Sequence, residues 1–360
     1  MNCITCCAEQ RETFPSEILS SEERVSLPPA EGRAYRYFQQ QGFRPADRDS
    51  FPIFRQYEQS SGLQEMSAAI IASWSFVYHG LYKIIGGYLC GVYFYEGKPV
   101  YFTLHRPPEG FAVPAAAHSL KPLIDILWEM SREAGLPFLQ IKFIDETYLA
   151  EYRHVPGYHI VTERRDSDDE YVYRVQDLLE LSGAANFYKR KRLKRCFDRT
   201  DITLRPMTNE NVHICLEVEE QWCRGKDCTY CASFGGCEKK ALEIMIDLFD
   251  DRIHKGLFLY QDDEPSGYII CEKMSESLSQ LYFGKAVMEG YFVYLIYMMY
   301  KTCLTGVEYM NLNEDMGSMG LRLFKSHLSV HERWPKYICT YTNAGAEGRS
   351  SPPEEGVCSH

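Results

Sequence analysis

One succession of secondary-structure signals occurs twice along the 360 residues. Each half presents apolar strands joined by polar turns, then an amphipathic helix, a strand, two consecutive acids, a short helix and a last strand. The acids are Asp145-Glu146 in the first half and Glu314-Asp315 in the second. A chain that repeats one order of elements is expected to fold into two similar domains, each with its own core.

The elements of the two halves are predicted at matching places. In the first half they cover 88–95, 100–104, 116–134, 138–143, 147–152 and 158–162, with 67–78 fitting either a helix or a buried strand. In the second half they cover 241–253, 257–260, 267–274, 278–286, 291–303, 307–313, 320–327 and 336–341. The fold class is therefore α/β (α+β), with two mixed, mostly antiparallel sheets flanked by helices.

The domain boundaries follow from this order and from local composition. Residues 1–35 are rich in Ser, Glu, Pro and Arg and show no periodicity, so a disordered extension is expected. The first domain is predicted at 36–178 and the second at 179–343. Residues 344–360 are expected to form a disordered tail.

Composition indicates the cellular compartment of the protein. Hydrophobic residues make up 45% and charged residues 25%, as in globular proteins, and the net charge is −11. The N-terminus lacks the apolar core of a signal peptide, and the longest wholly apolar run, 291–300, is half the ~20 residues that span a bilayer. A cytoplasmic location is expected.

Cysteine usage fits a reducing compartment, because many of the 14 cysteines lie inside apolar stretches. Four others have a spacing compatible with a four-thiolate zinc site, although a surface loop with free thiols is the favoured interpretation. These are Cys223, Cys228, Cys231 and Cys237. No metal is assigned to them.

A basic run stands out against the acidic balance of the chain. Six cations occur in the seven residues from Lys189 to Arg195. The run fits a solvated helix or an interdomain linker. It equally fits a clamp for the phosphates of transfer RNA or of a lipid headgroup.

Residues 307–341 contain the highest concentration of candidate functional side chains. After the 307–313 strand and the acidic pair Glu314-Asp315, the next helix carries Arg322 and Lys325 on one side. Acids and bases in this order can hold a zwitterionic or phosphate-bearing ligand. The two acids can bind an amino group, act as a general base, or cap the following helix.

Two blocks of sequence are similar to the phosphatidylglycerol lysyltransferase C-terminal-like family. Residues 168–197, with DDEYVY, DL, LSG and the basic run into Phe197, resemble the family's "DYVY…DL..L.G….KR….F" block. Residues 311–325 resemble its "N.EDD.G..GLR..K" block. The resemblance covers about residues 40–342, and family members are tandem GNAT-like proteins. One extra residue before Phe197 makes Lys191 and Arg192 rival assignments, and Ser329 replaces a frequent proline.

The resemblance implies transfer of an aminoacyl or acyl group. The implied donor is aminoacyl-tRNA, and the implied acceptor is a hydroxyl or amine, including that of a lipid or cell-wall precursor. Glu314 and Asp315 are the candidate catalytic residues. The candidate substrate-binding residues are Lys189, Arg190, Lys285, Tyr291, Asn313, Arg322 and Lys325.

A missing motif bears on the donor. Users of acetyl-CoA in this fold hold its pyrophosphate in a Gly-rich turn, whereas residues 286–291 contain one glycine and an acid. Acetyl-CoA is therefore the less favoured donor. A CoA-dependent N-acyltransferase and a non-catalytic module that binds RNA or a phospho-ligand remain alternatives.

Overall fold

The computed structural model describes residues 29–58, 62–95, 98–108, 119–224 and 237–344. The helices are α1 (Pro29–Gln40), α2 (Phe51–Tyr57), α3 (Ala68–Ser73), α4 (Ser75–Tyr78), α5 (Lys121–Glu133), α6 (Leu149–Arg153), α7 (Val175–Glu180), α8 (Phe187–Phe197), α9 (Cys215–Arg224), α10 (Glu238–Leu248), α11 (Tyr291–Thr302) and α12 (Met319–Ser326). The strands are β1 (Arg44–Pro45), β2 (Leu81–Ile85), β3 (Tyr88–Tyr93), β4 (Tyr101–His105), β5 (Leu139–Asp145), β6 (Tyr158–Arg164), β7 (Glu170–Arg174), β8 (Ile202–Pro206), β9 (His254–Gln261), β10 (Glu264–Lys273), β11 (Leu278–Ala286), β12 (Tyr309–Asn311), β13 (Glu332–Trp334) and β14 (Lys336–Asn343).

The strands form two seven-stranded mixed sheets, which confirms the predicted fold class. The first sheet has the order β1-β2-β3-β4-β5-β14-β6 and the second β13-β7-β12-β11-β10-β9-β8. Neighbouring strands are antiparallel except for one parallel pair in each sheet, β4–β5 and β11–β12. None of the described helices has the length and apolar character that crossing a bilayer requires.

The two sheets exchange strands across the boundary predicted at residue 178. Strand β7, before that boundary, pairs with β12 and β13 of the second sheet. Strand β14, at the C-terminal end of the described chain, lies between β5 and β6 of the first sheet. Such pairings join segments far apart in sequence, so strand periodicity alone does not fix them.

Some element boundaries differ from the sequence predictions. Helix α1 begins at Pro29, inside the predicted extension, because Ala34 and Phe38 on one of its faces are buried in the first core. Residues 67–78 are helical, as α3 and α4. Helix α10 ends at Leu248, and β9 already begins at His254. Residues 1–28 and 345–360 lie outside the described residues, as do Cys228 and Cys231.

The parallel pair of each sheet diverges after a short contact. Strands β4 and β5 pair at Phe102 and Ile141, and β11 and β12 pair up to Gln280 and Asn311. Two residues later along β5 and after β12, Phe143 and Asn313 have left-handed backbones, with φ of 59° and 62°. The predicted internal repeat therefore extends to single backbone positions.

The acids of the two turns repeat one local bond. The Asp145 carboxylate accepts a hydrogen bond of 2.7 Å from the amide of Thr147. The Asp315 carboxylate accepts one of 2.9 Å from the amide of Gly317. Both aspartates therefore close an Asx turn. Asp145 caps the short helical turn that follows it, whereas Ser318 and not Asp315 caps α12, so the helix-capping interpretation of Asp315 is wrong.

Residues 55–58 and 62–68 of the first half contact the second sheet. The guanidinium of Arg55 pairs with Glu58 at 2.7 Å and contacts Glu272 of β10. The hydroxyl of Ser67 donates a hydrogen bond of 2.9 Å to Tyr282 of β11. Because α3 also packs in the core around α9 and α10, the two domains share part of one interior.

The buried acid Glu58 makes a testable contribution to the pH dependence of stability. Burial and the nearby Glu272 raise the pKa of Glu58 to about 7. A carboxyl group whose pKa is raised by folding takes up a proton on folding, so its contribution weakens as pH rises from its unfolded value of about 4.3. We expect Glu58→Gln to gain stability relative to wild type, by on the order of 1–3 kcal/mol, between pH 4.5 and 8.

Urea denaturation across this pH range measures the effect. Glu243→Gln, at an exposed position on α10, is the matched control and should keep a constant difference from wild type. A constant difference for Glu58→Gln as well would contradict the assignment.

Candidate functional site

Asn313 occupies the point where β11 and β12 separate. Its side-chain amide donates a hydrogen bond of 2.8 Å to the carbonyl oxygen of Leu281 and accepts one of 3.2 Å from Gln280. The side chain therefore bridges the two diverging strands. This predicted substrate-binding residue fixes the start of the acidic turn.

Asp315 is fully buried, and both of its carboxylate oxygens are engaged. Its Oδ2 accepts hydrogen bonds from the Tyr171 hydroxyl at 2.7 Å and from Arg322 Nε at 2.9 Å. Its Oδ1 accepts from Arg322 Nη2 at 3.2 Å and from the Gly317 amide. Although burial raises the pKa of Asp315, these donors hold it below its usual value. This geometry favours a positioning role over proton transfer.

Lys325 supports the acidic turn from α12. Its buried ammonium donates to the carbonyl oxygen of Asn313 at 3.1 Å and to that of Glu314. Burial lowers the pKa of Lys325 to about 8, although nearby carboxylates oppose the shift. Arg322 and Lys325 therefore both face the acidic turn, as their spacing predicts, and are held by it.

The second predicted acid, Glu314, belongs to a cluster that sequence inspection missed. Carboxylate oxygens of Glu65, Glu170 and Glu314 lie within 4.8 Å of one another. The ammonium of Lys336 lies 3.2 Å from Glu314 and 3.5 Å from Glu170, and it contacts Glu65. We call these four residues the carboxylate cluster. Lys336 and Glu170 are buried, whereas the side chains of Glu314 and Glu65 are 15% and 19% exposed.

Charge in the carboxylate cluster is unevenly distributed. Burial raises the pKa of Glu65 and of Glu170, and the neighbouring Glu314 raises both further. Burial also acts on Glu314, but the ammonium groups of Lys336 and Lys325 hold its pKa below the usual value. Glu314 is therefore the ionised and partly exposed acid of the cluster. The three carboxylates could also approach a metal ion, but the Lys336 ammonium already neutralises part of their charge.

Aromatic residues of the first domain border the cluster. The ammonium of Lys336 lies 5.5 Å from the ring centroid of Phe143, whose ring packs edge-on against Tyr101. Burial, with the charges of Glu314 and Glu65, raises the pKa of Tyr78. Such surroundings attract a cation both by charge and by aromatic faces.

The basic run forms α8, and its cations have different partners. Arg190 donates to the carbonyl oxygens of Leu181 and Gly183 after α7, the latter at 2.7 Å, so it stabilises that turn. Lys189 donates a hydrogen bond of 2.8 Å to Ser329, and Arg192 pairs with Glu289 at 2.6 Å.

Helices α8, α11 and α12 enclose a cleft of 110 Å³. Lys189 and Arg192 line it together with apolar side chains, and we call it the basic cleft. Its further lining residues are Leu193, Gly290, Val293, Phe324, His327 and Leu328. Of the rival assignments, Arg192 lies in this cleft.

The two remaining candidates have other surroundings. The Lys285 ammonium pairs with Glu238 of α10 at 2.6 Å and lies 4.2 Å from the Trp222 ring centroid. Tyr291 is the first residue of α11, and its ring lies edge-on to that of Tyr294, with 6.5 Å between the ring centroids. The structure therefore gathers Asn313, Glu314, Asp315, Arg322 and Lys325 at the acidic turn.

The sequence around Glu170 and Lys336 contains a pattern that predicts two buried, paired charges. Each is a charged residue at the start of a strand whose other residues are largely apolar or aromatic, EYVYR and KYICTYTN. Charged residues are rarely fully buried unless they are paired. Glu65 offers no such signal, because it lies in a short helical turn of mixed composition.

Two sheets with one diverging parallel pair each define a tandem GNAT-like protein. The sequence matches the phosphatidylglycerol lysyltransferase C-terminal family over residues 109–340, and the chain belongs to that family. A search of the curated proteins finds no match.

Solved structures support the fold. A conserved protein of unknown function from Bacteroides thetaiotaomicron superposes with a TM-score of 0.71 at 18% identity, over 83% of this chain and 99% of that one. L-PGS from Bacillus licheniformis superposes with a TM-score of 0.54 at 14% identity, over 82% of this chain and 92% of that one. FemX superposes with a TM-score of 0.52 at 9% identity, over 80% of this chain and 95% of that one. At these identities the likeness establishes the fold alone.

The central ammonium of the carboxylate cluster gives a stability prediction. Lys336→Met removes the cation that contacts all three glutamates and leaves buried carboxylates without this partner. We expect a loss of about 3–5 kcal/mol in the free energy of unfolding, measured by urea denaturation at pH 7. The exposed Lys191→Met should change it by less than about 0.5 kcal/mol. Equal effects of the two substitutions would contradict the central role of Lys336.

Proposed function

We propose that this protein is an aminoacyltransferase that takes an aminoacyl group from transfer RNA and passes it to a hydroxyl or amine acceptor. The surplus of carboxylates around Lys336 is the main support, because its single ammonium contacts three glutamates. Membership of a family described as phosphatidylglycerol lysyltransferases is consistent with this proposal.

The carboxylate cluster suits the amino group of the donor. An aminoacyl ester carries an ammonium next to its reactive carbonyl, whereas an acetyl thioester carries none. Glu314 combines an ionised carboxylate with partial exposure, so it can accept that ammonium. Phe143 adds an aromatic ring next to Lys336, its centroid 5.5 Å from that ammonium. In this proposal Glu314 binds the donor, and Asp315 keeps Arg322 in place.

Helix α8 suits the phosphates of the donor. Lys189 and Arg192 line the basic cleft, and Lys191 and Arg195 are exposed without a hydrogen bond or ion pair to other described residues. Cationic side chains supply most of the affinity for a nucleic acid backbone. Helix α12 links the two regions, with Lys325 at the acidic turn and Phe324 at the basic cleft.

The transfer step follows from positioning. The acceptor hydroxyl or amine attacks the ester carbonyl of the donor, a new ester or amide bond forms, and the ribose hydroxyl leaves with the proton. Binding the donor ammonium at Glu314 and its phosphates along α8 orients that carbonyl for attack. The Arg322 guanidinium, whose side chain is 43% exposed, can stabilise negative charge that develops on the carbonyl oxygen of the donor.

The turn ahead of α11 favours this donor over acetyl-CoA. The Arg192 guanidinium lies against Gly290, so close that an added Cβ would meet it at 2.3–3.1 Å. Arg192 also pairs with Glu289 of the same turn. Side chains of the protein therefore occupy the space where a pyrophosphate would approach the helix N-terminus.

Filter binding with charged and uncharged transfer RNA tests recognition of the amino group. We expect Glu314→Gln to abolish the preference for charged RNA and to leave affinity for uncharged RNA unchanged, because only the charged form carries the ammonium. Glu243→Gln should behave as wild type. Calorimetric binding of acetyl-CoA without any binding of RNA would overturn the proposal, and binding of charged RNA without turnover to any acceptor would indicate a non-catalytic module.

The phosphate contacts predict a different pattern. Lys191→Ala/Arg195→Ala should weaken charged and uncharged transfer RNA by the same factor and reduce the slope of log affinity against log salt concentration by about 1–2. Lys301→Ala, exposed on α11, is the matched control. An unchanged slope in the double variant would exclude α8 from RNA binding.

A further inference from the structure

Residues 62–68 lie between α2 and α3 in sequence and extend across the second sheet. The carbonyl oxygen of Gly62 accepts a hydrogen bond of 3.0 Å from Asn311 of β12. The amide of Gln64 donates one of 2.6 Å to Glu170 of β7. Two strands of the second sheet therefore hold this segment, and we call residues 62–68 the strap.

The strap lies close against the second sheet and supplies one acid of the carboxylate cluster. A Cβ added to Gly62 would meet the Trp334 ring at 2.6 Å and Leu278 at 2.8 Å, so glycine permits this approach. Three residues further on, the carboxylate of Glu65 contacts the Lys336 ammonium. The place of Glu65 in the cluster therefore depends on the strap.

A buried acid holds the other end of the strap. Glu58, directly after α2, accepts hydrogen bonds of 3.0 Å from the amide of Ala68 and of 2.7 Å from the guanidinium of Arg55. The same guanidinium contacts Glu272 of β10, which is also buried. One cation therefore joins two acids, one from each half of the chain.

Hydroxyl groups close this network into a ring. Ser67 of the strap donates a hydrogen bond of 2.9 Å to Tyr282 of β11, and Tyr282 donates one of 2.9 Å to Glu272. Nε2 of His254 lies 3.5 Å from Glu272, while Nδ1 accepts a hydrogen bond of 3.0 Å from a backbone amide. Nε2 therefore carries the proton of the neutral imidazole. We call the residues of the ring the latch: Arg55, Glu58, Ser67, Glu272 and Tyr282.

We infer that the latch keeps the strap closed and thereby places Glu65 in the carboxylate cluster. Glu58 is the central positioning residue, because it bonds the strap directly and reaches β10 through Arg55. An open latch releases the strap, and with it the carboxylate beside Glu314. The consequence for the donor rests on the proposed function, whereas closing of the strap needs no ligand.

Protonation of Glu58 favours the closed strap. Burial and the nearby Glu272 raise the pKa of Glu58 to about 7, whereas water around an open strap returns it toward about 4.3. The closed form therefore binds the proton more tightly, and closing weakens as pH rises between these two values. Arg55 stays a cation, and burial raises the pKa of Tyr282, so neither group changes charge in this range. Although burial opposes the shift, His254 and Arg55 hold the pKa of Glu272 below its usual value.

Hydrogen exchange measured by mass spectrometry follows the strap in the full chain without a ligand. Protection of peptides covering 62–68 is compared between wild type and Glu58→Gln, which keeps the shape of the acid without its charge. The ratio of variant to wild-type protection should rise about tenfold or more from pH 5.5 to pH 7.5. Glu243→Gln is the matched control and should keep a constant ratio. Peptides of α5 should stay protected throughout, because the first core remains closed.

Two further substitutions act on the latch and on the strap separately. Glu58→Ala removes the acceptor of the Ala68 amide and should lower protection of the strap about tenfold at pH 5.5. Gly62→Ala forces the strap away from Trp334 without touching the latch, so protection should fall and keep the wild-type pH dependence. Thermal unfolding establishes that each variant folds, and Ser67→Ala replaces Glu58→Ala if that variant does not.

Filter binding connects the strap to the donor. Glu58→Ala should lower the preference for charged over uncharged transfer RNA, and Glu58→Gln should retain that preference. Unchanged exchange of the strap in Glu58→Ala would overturn the inference, as would a Glu58→Gln ratio that does not vary with pH. Equal exchange of the strap and α5 would also overturn it, because the strap would then open only by global unfolding. If exchange behaves as expected and no RNA binds, the proposed function fails and the latch stands.

Discussion

The ammonium of Lys336 holds together parts of the chain that sequence separates widely. Glu65 comes from the segment between α2 and α3, Glu170 begins β7, Glu314 follows β12, and Lys336 begins β14. Two of these strands, β7 and β14, are those by which the halves exchange pairing partners. The exchange and the buried charges therefore meet at one place, and neither domain can form this cluster alone.

A buried ionic cluster is a weak way to gain stability, since removing charges from water costs several kcal/mol per ion. Its presence between the domains is better explained by the charge that it places at Glu314. Lys336 contacts all three acids, and burial raises the pKa of Glu65 and Glu170, which favours their uncharged forms. The remaining negative charge lies at the partly exposed Glu314, next to the diverging strands.

Sequence periodicity predicted the repeated order of elements because helices and strands with one buried face leave local patterns. It also located the acidic turn, the basic helix and the face of α12 that Arg322 shares with Lys325. The carboxylate cluster and the strand exchange could not be predicted in this way, because both depend on contacts between distant parts of the chain. Glu65 and Lys336, for example, are 271 positions apart.

The internal repeat places different side chains at matching backbone positions of the two halves. Phe143 and Asp145 of the first half repeat the backbone of Asn313 and Asp315, including the left-handed residue and the Asx turn. Between them, however, the first half has the buried Ile144 where the second has Glu314. The turn is therefore a property of the fold, whereas the acid that faces the cluster is specific to the second half. Asp315 is explained by the fold, because Asp145 occupies the same place in the first half. Glu314 is not, because the first half has Ile144 there.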